Sequence, residues 1–366
     1  SNFDKIELKG EEFLEFKNDD YYNLNPEKLI EYAKKSYEEI IKTTEFIKSS
    51  EISIILSKKS FIVWNTQANF ATDNLFYTTF FIKLVGQRNW VYEEVYEKIA
   101  WTDIFDDINY EMISSKLTHV INVLDKQLDA EKSPDWKIDV IIWNESGWTI
   151  IHEAVWHWLE ADLQNSSVYK DKIGQKVASE LVTVIDHPNH LEKQRGCYNI
   201  DHEVNISQKA ILIENWVLKW YLHTHKTSLK FNTETTSHAR RENYACKTLV
   251  RMGNTFLAPW KDKKEDLIKK VNYWLYVSRM WWWQVNTTTW DFVFKVQNWF
   301  LIENWVLTKP VRWATLSWNW PQMLNEIYWI CDDLEIFDGW TCWKWQSMPV
   351  TDWTPTILTK LKVSSL

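Results

Sequence analysis

Glycine is scarce in this chain: seven residues among 366, where ordinary usage of about 7% predicts roughly 26. Cysteine is scarce too, and the four present (Cys197, Cys246, Cys331 and Cys342) are widely spaced with no Cys-x-x-Cys pair. That pattern excludes a disulfide framework and suits a reducing compartment. No run of 18 apolar residues is present, so no membrane-spanning helix is expected, and no signal peptide is read at the start. Basic residues are outnumbered, 42 Lys and Arg against 50 Asp and Glu. A net charge of -8 leaves no basic footprint for nucleic acid. The expectation is a cytoplasmic protein with neither a membrane nor a nucleic-acid partner.

What the chain has in excess is tryptophan, 26 in all. Two segments repeat nearly word for word, Leu212–Trp220 (LIENWVLKW) and Leu301–Lys309 (LIENWVLTK). Each sets two apolar runs around Glu-Asn-Trp. Asn-Gly is the preferred two-residue hairpin turn, because a type I′ turn needs φ > 0 at both positions. Bulky Trp is a poor choice there. Trp281–Trp283, Ser317–Pro321 and Asp338–Cys342 likewise read as glycine-rich loops with Trp in place of Gly. Most of the Trp letters therefore read as glycine. A gene in which UGA means glycine, translated with UGA as tryptophan, would give this text.

Chemistry concentrates in His152–Asp162, reading HEAVWHWLEAD. Neutral imidazoles are good zinc ligands, and a carboxylate beside the metal can take a proton from water. The histidines are five apart rather than the commoner four. On a uniform helix the second falls roughly 140° from the first. Both can reach one ion only if the helix loosens, as at a π-bulge, or ends between them. The plainer alternative is an amphipathic helix with two unrelated histidines.

With glycine at Trp156 and Trp158 the motif becomes HEAVGHGLEAD, which resembles the TldD/PmbA family of metallopeptidases, specifically the TldD-type subunit. Ser179–Asp186, the paired LIEN hairpins, Arg240–Tyr244 (RRENY), Arg251–Thr255 (RMGNT), Thr308–Trp320 and Thr341–Val350 are also similar to family segments. The resemblance is strong from about Lys137 to Lys362. It implies a zinc peptidase of HExxxH type, with His152 and His157 as ligands and Glu153 as the base that takes the water proton and passes it to the leaving amine. It implies Cys342 as the third ligand, whereas without it Cys342 reads as a small buried cysteine. It further implies cleavage of unstructured peptides or leader segments in a chamber of two subunits, as a homodimer or with a PmbA-like partner. Family members have a further N-terminal portion, so a truncated start is expected. The alternative within the family is a non-catalytic PmbA-like subunit, against which His152, Glu153 and His157 argue.

Other candidates are weaker. His223-x-His225 would chelate if on a strand, where i and i+2 point the same way, but no acid completes it. Glu160, three after His157, could orient that imidazole or lie on an exposed helix face. Arg240, Arg241, Tyr244 and Asn254 are candidates for substrate contact, with surface or packing roles as the alternative.

In chain order the spacing predicts an amphipathic helix over 27–49, strands at Ile52–Leu56, Ser60–Val63 and Leu75–Val85, and a helix over Ile108–Gln127. Residues 1–133 thus read as an incomplete N-terminal α+β domain of helices against an antiparallel sheet, and 134–366 as a β-rich metallopeptidase domain. The second domain opens with a strand at Lys137–Trp143 and a motif helix at Thr149–Leu163. Its one other expected helix is Lys261–Val277.

Overall fold

The computed structural model describes residues 14–15, 26–43, 45–65, 69–101, 109–133, 136–152, 157–190, 194–271, 273–285, 291–312, 314–335 and 339–365. The fold is α+β: a small antiparallel-sheet unit, then a larger sheet-rich one.

Helix α1 (Pro26–Thr43) and helix α2 (Tyr110–Leu128) cover one face of an antiparallel meander. Proline suits the first turn of α1, where its missing N–H costs no hydrogen bond. The Asn109 side chain accepts from the Met112 amide and caps α2. The meander runs Ile47–Trp64, Phe70–Arg88 and Val91–Trp101, with the middle strand paired to both others. The two strands expected up to Val63 are one continuous strand, because Ser57–Lys59 pairs without a break to Leu75–Tyr77. Period-two alternation divides the middle strand's contacts. Phe80, Ile82 and Leu84 meet α2 through Leu117, Val120 and Leu124. Leu75 and Tyr77 instead meet Tyr198 of the second unit.

Among the described residues the second unit holds two large sheets and a two-stranded one, Ala239–Arg240 with Leu249–Val250. In the first, Trp136–Ile142, Ile357–Ser365, Ala314–Asn319, Asp291–Glu303 and Tyr273–Val285 pair in turn, and the last pairs back to the first. This closed circuit encloses Val140, Leu275, Phe292, Phe294, Leu316, Leu361 and Val363. The second sheet orders Trp340–Trp343, Ser347–Trp353, Asn254–Leu257, Val184–Asp186, Ala210–Glu214 and Val217–Leu218.

Three helices are shorter than the sequence pattern suggests: the first, expected to reach residue 49, ends at Thr43, because Ile47–Trp64 is drawn into the sheet by pairing with Phe70–Gly86. The expected helix over Lys261–Val277 spans only Lys264–Lys270, and Tyr273–Val285 is a strand. Leu275, Tyr276 and Val277 satisfy both periodicities, and pairing with Val140–Ile142 decides for the strand. The expected motif helix over Thr149–Leu163 is instead helix α3 (Asn144–Ile151), followed by π-helical geometry at His152 and 3-10 turns at His157–Leu159 and Ala161–Ser166.

Both LIEN segments are hairpins with two-residue loops, Glu214 opposite Val217 and Glu303 opposite Val306. Their loop residues are left-handed: φ is 45° and 65° at Asn215 and Trp216, and 51° and 63° at Asn304 and Trp305. Trp345, in a third turn, has φ 57°. Trp90, Trp64, Trp343 and Trp345 are exposed, whereas Trp158, Trp299 and Trp353 are core residues. Trp318 is partly buried on a strand, and the Trp320 side chain, like those of Trp281–Trp283, lies outside the described residues.

Candidate metal centre

Helix α3 leaves the strand Trp136–Ile142 and delivers His152 at its end, fully buried. The chain then leaves regular helix, so the five-residue spacing no longer holds the imidazoles on different faces. His157 Nε2 lies 3.2 Å from His152 Nε2. From the far end of the sequence, the strand Trp340–Trp343 turns Cys342 inward while Thr341 and Trp343 face solvent. Its Sγ is 3.3 Å from each Nε2. These are the three residues among those described whose donor atoms group as a metal site.

Carboxylates fix both rings. His152 Nδ1–H donates to Asp352 at 2.9 Å, and Trp340 Nε1–H donates to the same oxygen. His157 Nδ1–H donates to Glu160 at 2.9 Å. Each bond turns an Nε2 lone pair toward the thiol, the arrangement that orients metal-ligating histidines elsewhere. Tetrahedral geometry with Zn–N near 2.0–2.1 Å and Zn–S near 2.3 Å spaces donors roughly 3.3–3.6 Å apart. The observed 3.2, 3.3 and 3.3 Å match within a few tenths of an ångström. The donor set, two imidazoles and a thiolate, is a zinc set, so the residues fit the ion.

Charge balance agrees with the geometry. Burial opposes charge on all three ligands, yet the rings and thiol outweigh it for one another. His157 and His152 hold the Cys342 thiol well below its ordinary value. Cys342 and Glu160 lift His157 to about 9, and Asp352 and Cys342 lift His152 well above its usual range. Burial pushes Asp352 up to about 6. Glu160, despite burial, is held down at about 2 by Lys344, His157 and Arg251.

The remaining candidates are placed as follows. Glu153 lies outside the described residues. The His223-x-His225 pair is not on a strand: His223 is buried beside Thr227, while His225 is exposed and opens a short helix capped by Thr224. The capping box turns the two rings apart, so the chelation reading is corrected. Arg240 is buried, donates to the carbonyls of Met252 and Pro349 and stacks over Tyr198. Asn254 is buried and donates to the Pro188 carbonyl. Arg241 is partly exposed, and Tyr244 is 93% exposed. Asp352, Lys344 and Arg251 were not singled out by sequence reasoning. A hairpin reading of 340–353 would have found Asp352, because pairing Trp340 with Val350 brings Asp352 to the same end.

A helix end and a sheet edge converge on two imidazoles and a thiol, so the chain is an α+β protein with a candidate metal site. The PmbA/TldA metallopeptidase C-terminal domain profile matches residues 136–365, and the chain belongs to this PmbA/TldD family. It is 37% identical over 198 residues to a metalloprotease TldD homolog of Buchnera aphidicola, covering 53% of this chain and 41% of that protein. It is 37% identical over 227 residues to a metalloprotease of Methanocaldococcus jannaschii, covering 62% and 50%. A zinc metalloprotease TldD homolog of Saccharolobus solfataricus is 27% identical over 263 residues, covering 71% and 58%. The chain thus spans about half the length of these relatives. Among solved structures, TldE from Thermococcus kodakarensis shares the fold with TM-score 0.75 at 16% identity, covering 97% of this chain and 78% of that one. A Thermotoga maritima protein described as a modulator of DNA gyrase shares it with TM-score 0.79 at 20% identity, covering 97% and 78%. Among the described residues no helix is long and apolar enough to cross a membrane.

Proposed function

We propose that this chain carries the metal site of a zinc-dependent peptidase that cleaves unstructured peptides or leader segments. The observation that carries the reading is the triad His152, His157 and Cys342, spaced as zinc donors are. Zinc held there would supply a Lewis acid and lower the pKa of water. Asp352 and Glu160 hold the two rings with Nε2 forward. Glu153, one residue after a ligand, accepts a proton from water and returns it to the leaving amine. Exposed Tyr244 and partly exposed Arg241 are free to contact a peptide at the rim. Arg240 and Asn254 act by holding the surrounding loops, through the carbonyls they already bind.

The whole enzyme works as two subunits, either two copies or one copy with a PmbA-like chain, in the cytoplasm, where a reduced Cys342 persists. An intact triad favours the catalytic role over that of a non-catalytic partner. Glycine stands at most Trp positions of the natural protein, a reading supported by left-handed Trp216, Trp305 and Trp345.

The test is cleavage of an unfolded peptide by the full chain, with zinc content measured alongside. Activity lost on chelation and restored by zinc supports the reading. Cleavage indifferent to chelation, or a chain that takes up no zinc, overturns it.

A further inference from the structure

Cys342 reaches the histidines across 185 to 190 positions of sequence, and something must hold its hairpin against the His157 segment. Backbone pairing does not do so: Trp340–Trp343 pairs with Ser347–Trp353 and with no strand of the 157–166 segment. Side chains make the connection. Lys344, in the turn two residues after Cys342, is 7% exposed. Its Nζ lies 2.9 Å from Glu160 Oε2, the oxygen that accepts from His157. It also donates to both Asp162 oxygens at 2.9 and 3.0 Å and to the Val250 carbonyl at 2.8 Å. Arg251, fully buried, grips the same turn from its other side, donating to the carbonyls of Cys342 at 3.1 Å and Gln346 at 2.8 Å. Its Nε faces the second oxygen of Glu160 at 3.7 Å.

Lys344 of the hairpin therefore meets two carboxylates on the histidine side, and Arg251, which holds the hairpin by its carbonyls, pairs with one of them. Glu160 is the common point, touching His157, Lys344 and Arg251 at once. We propose that Lys344 is a positioning residue that locks the cysteine hairpin onto the histidine segment through Glu160 and Asp162, and so brings Cys342 within coordination distance of His152 and His157. Arg251 completes the lock from beneath. The charge is used where it is desolvated: hydrogen bonds to both Asp162 oxygens and the Val250 carbonyl satisfy the three N–H groups of the ammonium, and Glu160 pairs with its charge at 2.9 Å. Methionine at this position fills similar space and satisfies none of them, leaving Glu160 and Asp162 to repel each other. Arginine keeps the charge, though its planar fork suits the three-way contact less well.

This inference rests on the zinc reading above, and the experiment separates the two. The full-length wild-type chain, K344M, K344R and D162N are titrated with cobalt(II) and then with zinc against a competing chelator. The thiolate-to-cobalt absorption band reports whether Cys342 is bound. Wild-type protein that shows no cobalt or zinc binding overturns the zinc reading itself. With wild type binding, K344M is expected to lose most of the thiolate band and about 10- to 100-fold in zinc affinity, the range seen when partners of metal ligands are removed. K344R is expected to recover part of both. Circular dichroism establishes that the variants are folded. If K344M does not fold, D162N decides, since it removes one partner of Lys344 and leaves Glu160 in place. An undiminished thiolate band with zinc affinity within about twofold of wild type, in folded K344M or in D162N, overturns the proposal.

Discussion

Asp73, in the middle strand of the N-terminal sheet, accepts from the Asn199 backbone N–H at 3.0 Å and from its side-chain amide at 3.1 Å. This two-point contact joins the small unit to the large one, and other cross-links surround it. Lys98 donates to the Gly339 carbonyl, just before the Cys342 strand, and Lys59 donates to the Arg241 carbonyl. The N-terminal unit therefore braces the loops that lead into the metal site.

Lys59 makes this junction sensitive to pH. Burial first, then Arg240 and Arg241, lower its pKa from 10.5 to about 8. A lowered ammonium pKa means that the unfolded chain binds more protons between about pH 8 and 10.5, so this residue's contribution to stability rises with pH across that window. Lys59→Met is expected to be more stable than wild type at pH 7, with the difference shrinking as pH rises toward 10.5. Urea unfolding of both proteins at several pH values measures it, and a pH-independent difference would refute the account.

Glu153→Gln should keep its zinc and lose about 10²- to 10⁴-fold in peptide cleavage, since an amide cannot take the water proton. Metal analysis and single-turnover assays on the same sample check both halves. Unchanged turnover removes Glu153 from the reaction.

Turn chemistry gives a third expectation. A side chain in left-handed backbone costs roughly 1–2 kcal/mol, which glycine does not incur. Trp305→Gly should stabilise by about that amount, because Trp305 is exposed and φ is 63°. Trp216→Gly should gain less, because Lys176 Nζ sits 4.4 Å from that ring's centroid and the contact is lost. Denaturant midpoints of the single variants test the ranking. In protein from its natural source, mass spectrometry of peptides across Leu212–Trp220 should read glycine at position 216, and the gene should carry UGA there; UGG would end the idea.

Gly196 tests the packing behind the site. A Cβ there would meet the Gly253 carbonyl oxygen at 2.2 Å and Asn254 Oδ1 at 2.4 Å. Backbone cannot move aside as a flexible side chain can, so Gly196→Ala should destabilise by about 1–3 kcal/mol with an unchanged denaturant slope. Wild-type stability in this variant would show that the loop shifts freely.

Much of this was legible in the chain. Helices α1 and α2 follow from their apolar spacing, and both hairpins from the repeated LIEN turns. The two histidines of the candidate site were readable from type and spacing. Cys342 was not, because its neighbours along the chain say nothing about a partner 185 positions earlier. The family resemblance supplied it. Lys344 and Asp352 escaped for the same reason: their roles arise from sheet register and from a turn folding over another segment. The 261–277 stretch misled because Leu267, Val271 and Leu275 fit a helical stripe, while Tyr273–Val277 also fit a strand, and only tertiary pairing separates the two.

The closed strand circuit also has a consequence for synthesis. The strand Ile357–Ser365 sits between Trp136–Ile142 and Ala314–Asn319 and joins them in the ring. A chain growing on the ribosome has made His152 and His157 long before this strand emerges, and it cannot seat Cys342 on a finished scaffold until it does. Pairing across so many residues forms late, because loop closure must come before any contact rewards it. The three donor side chains therefore meet on a closed scaffold only after Ile357–Ser365 has paired, and a chain cut short before that strand lacks the ring that carries the candidate site.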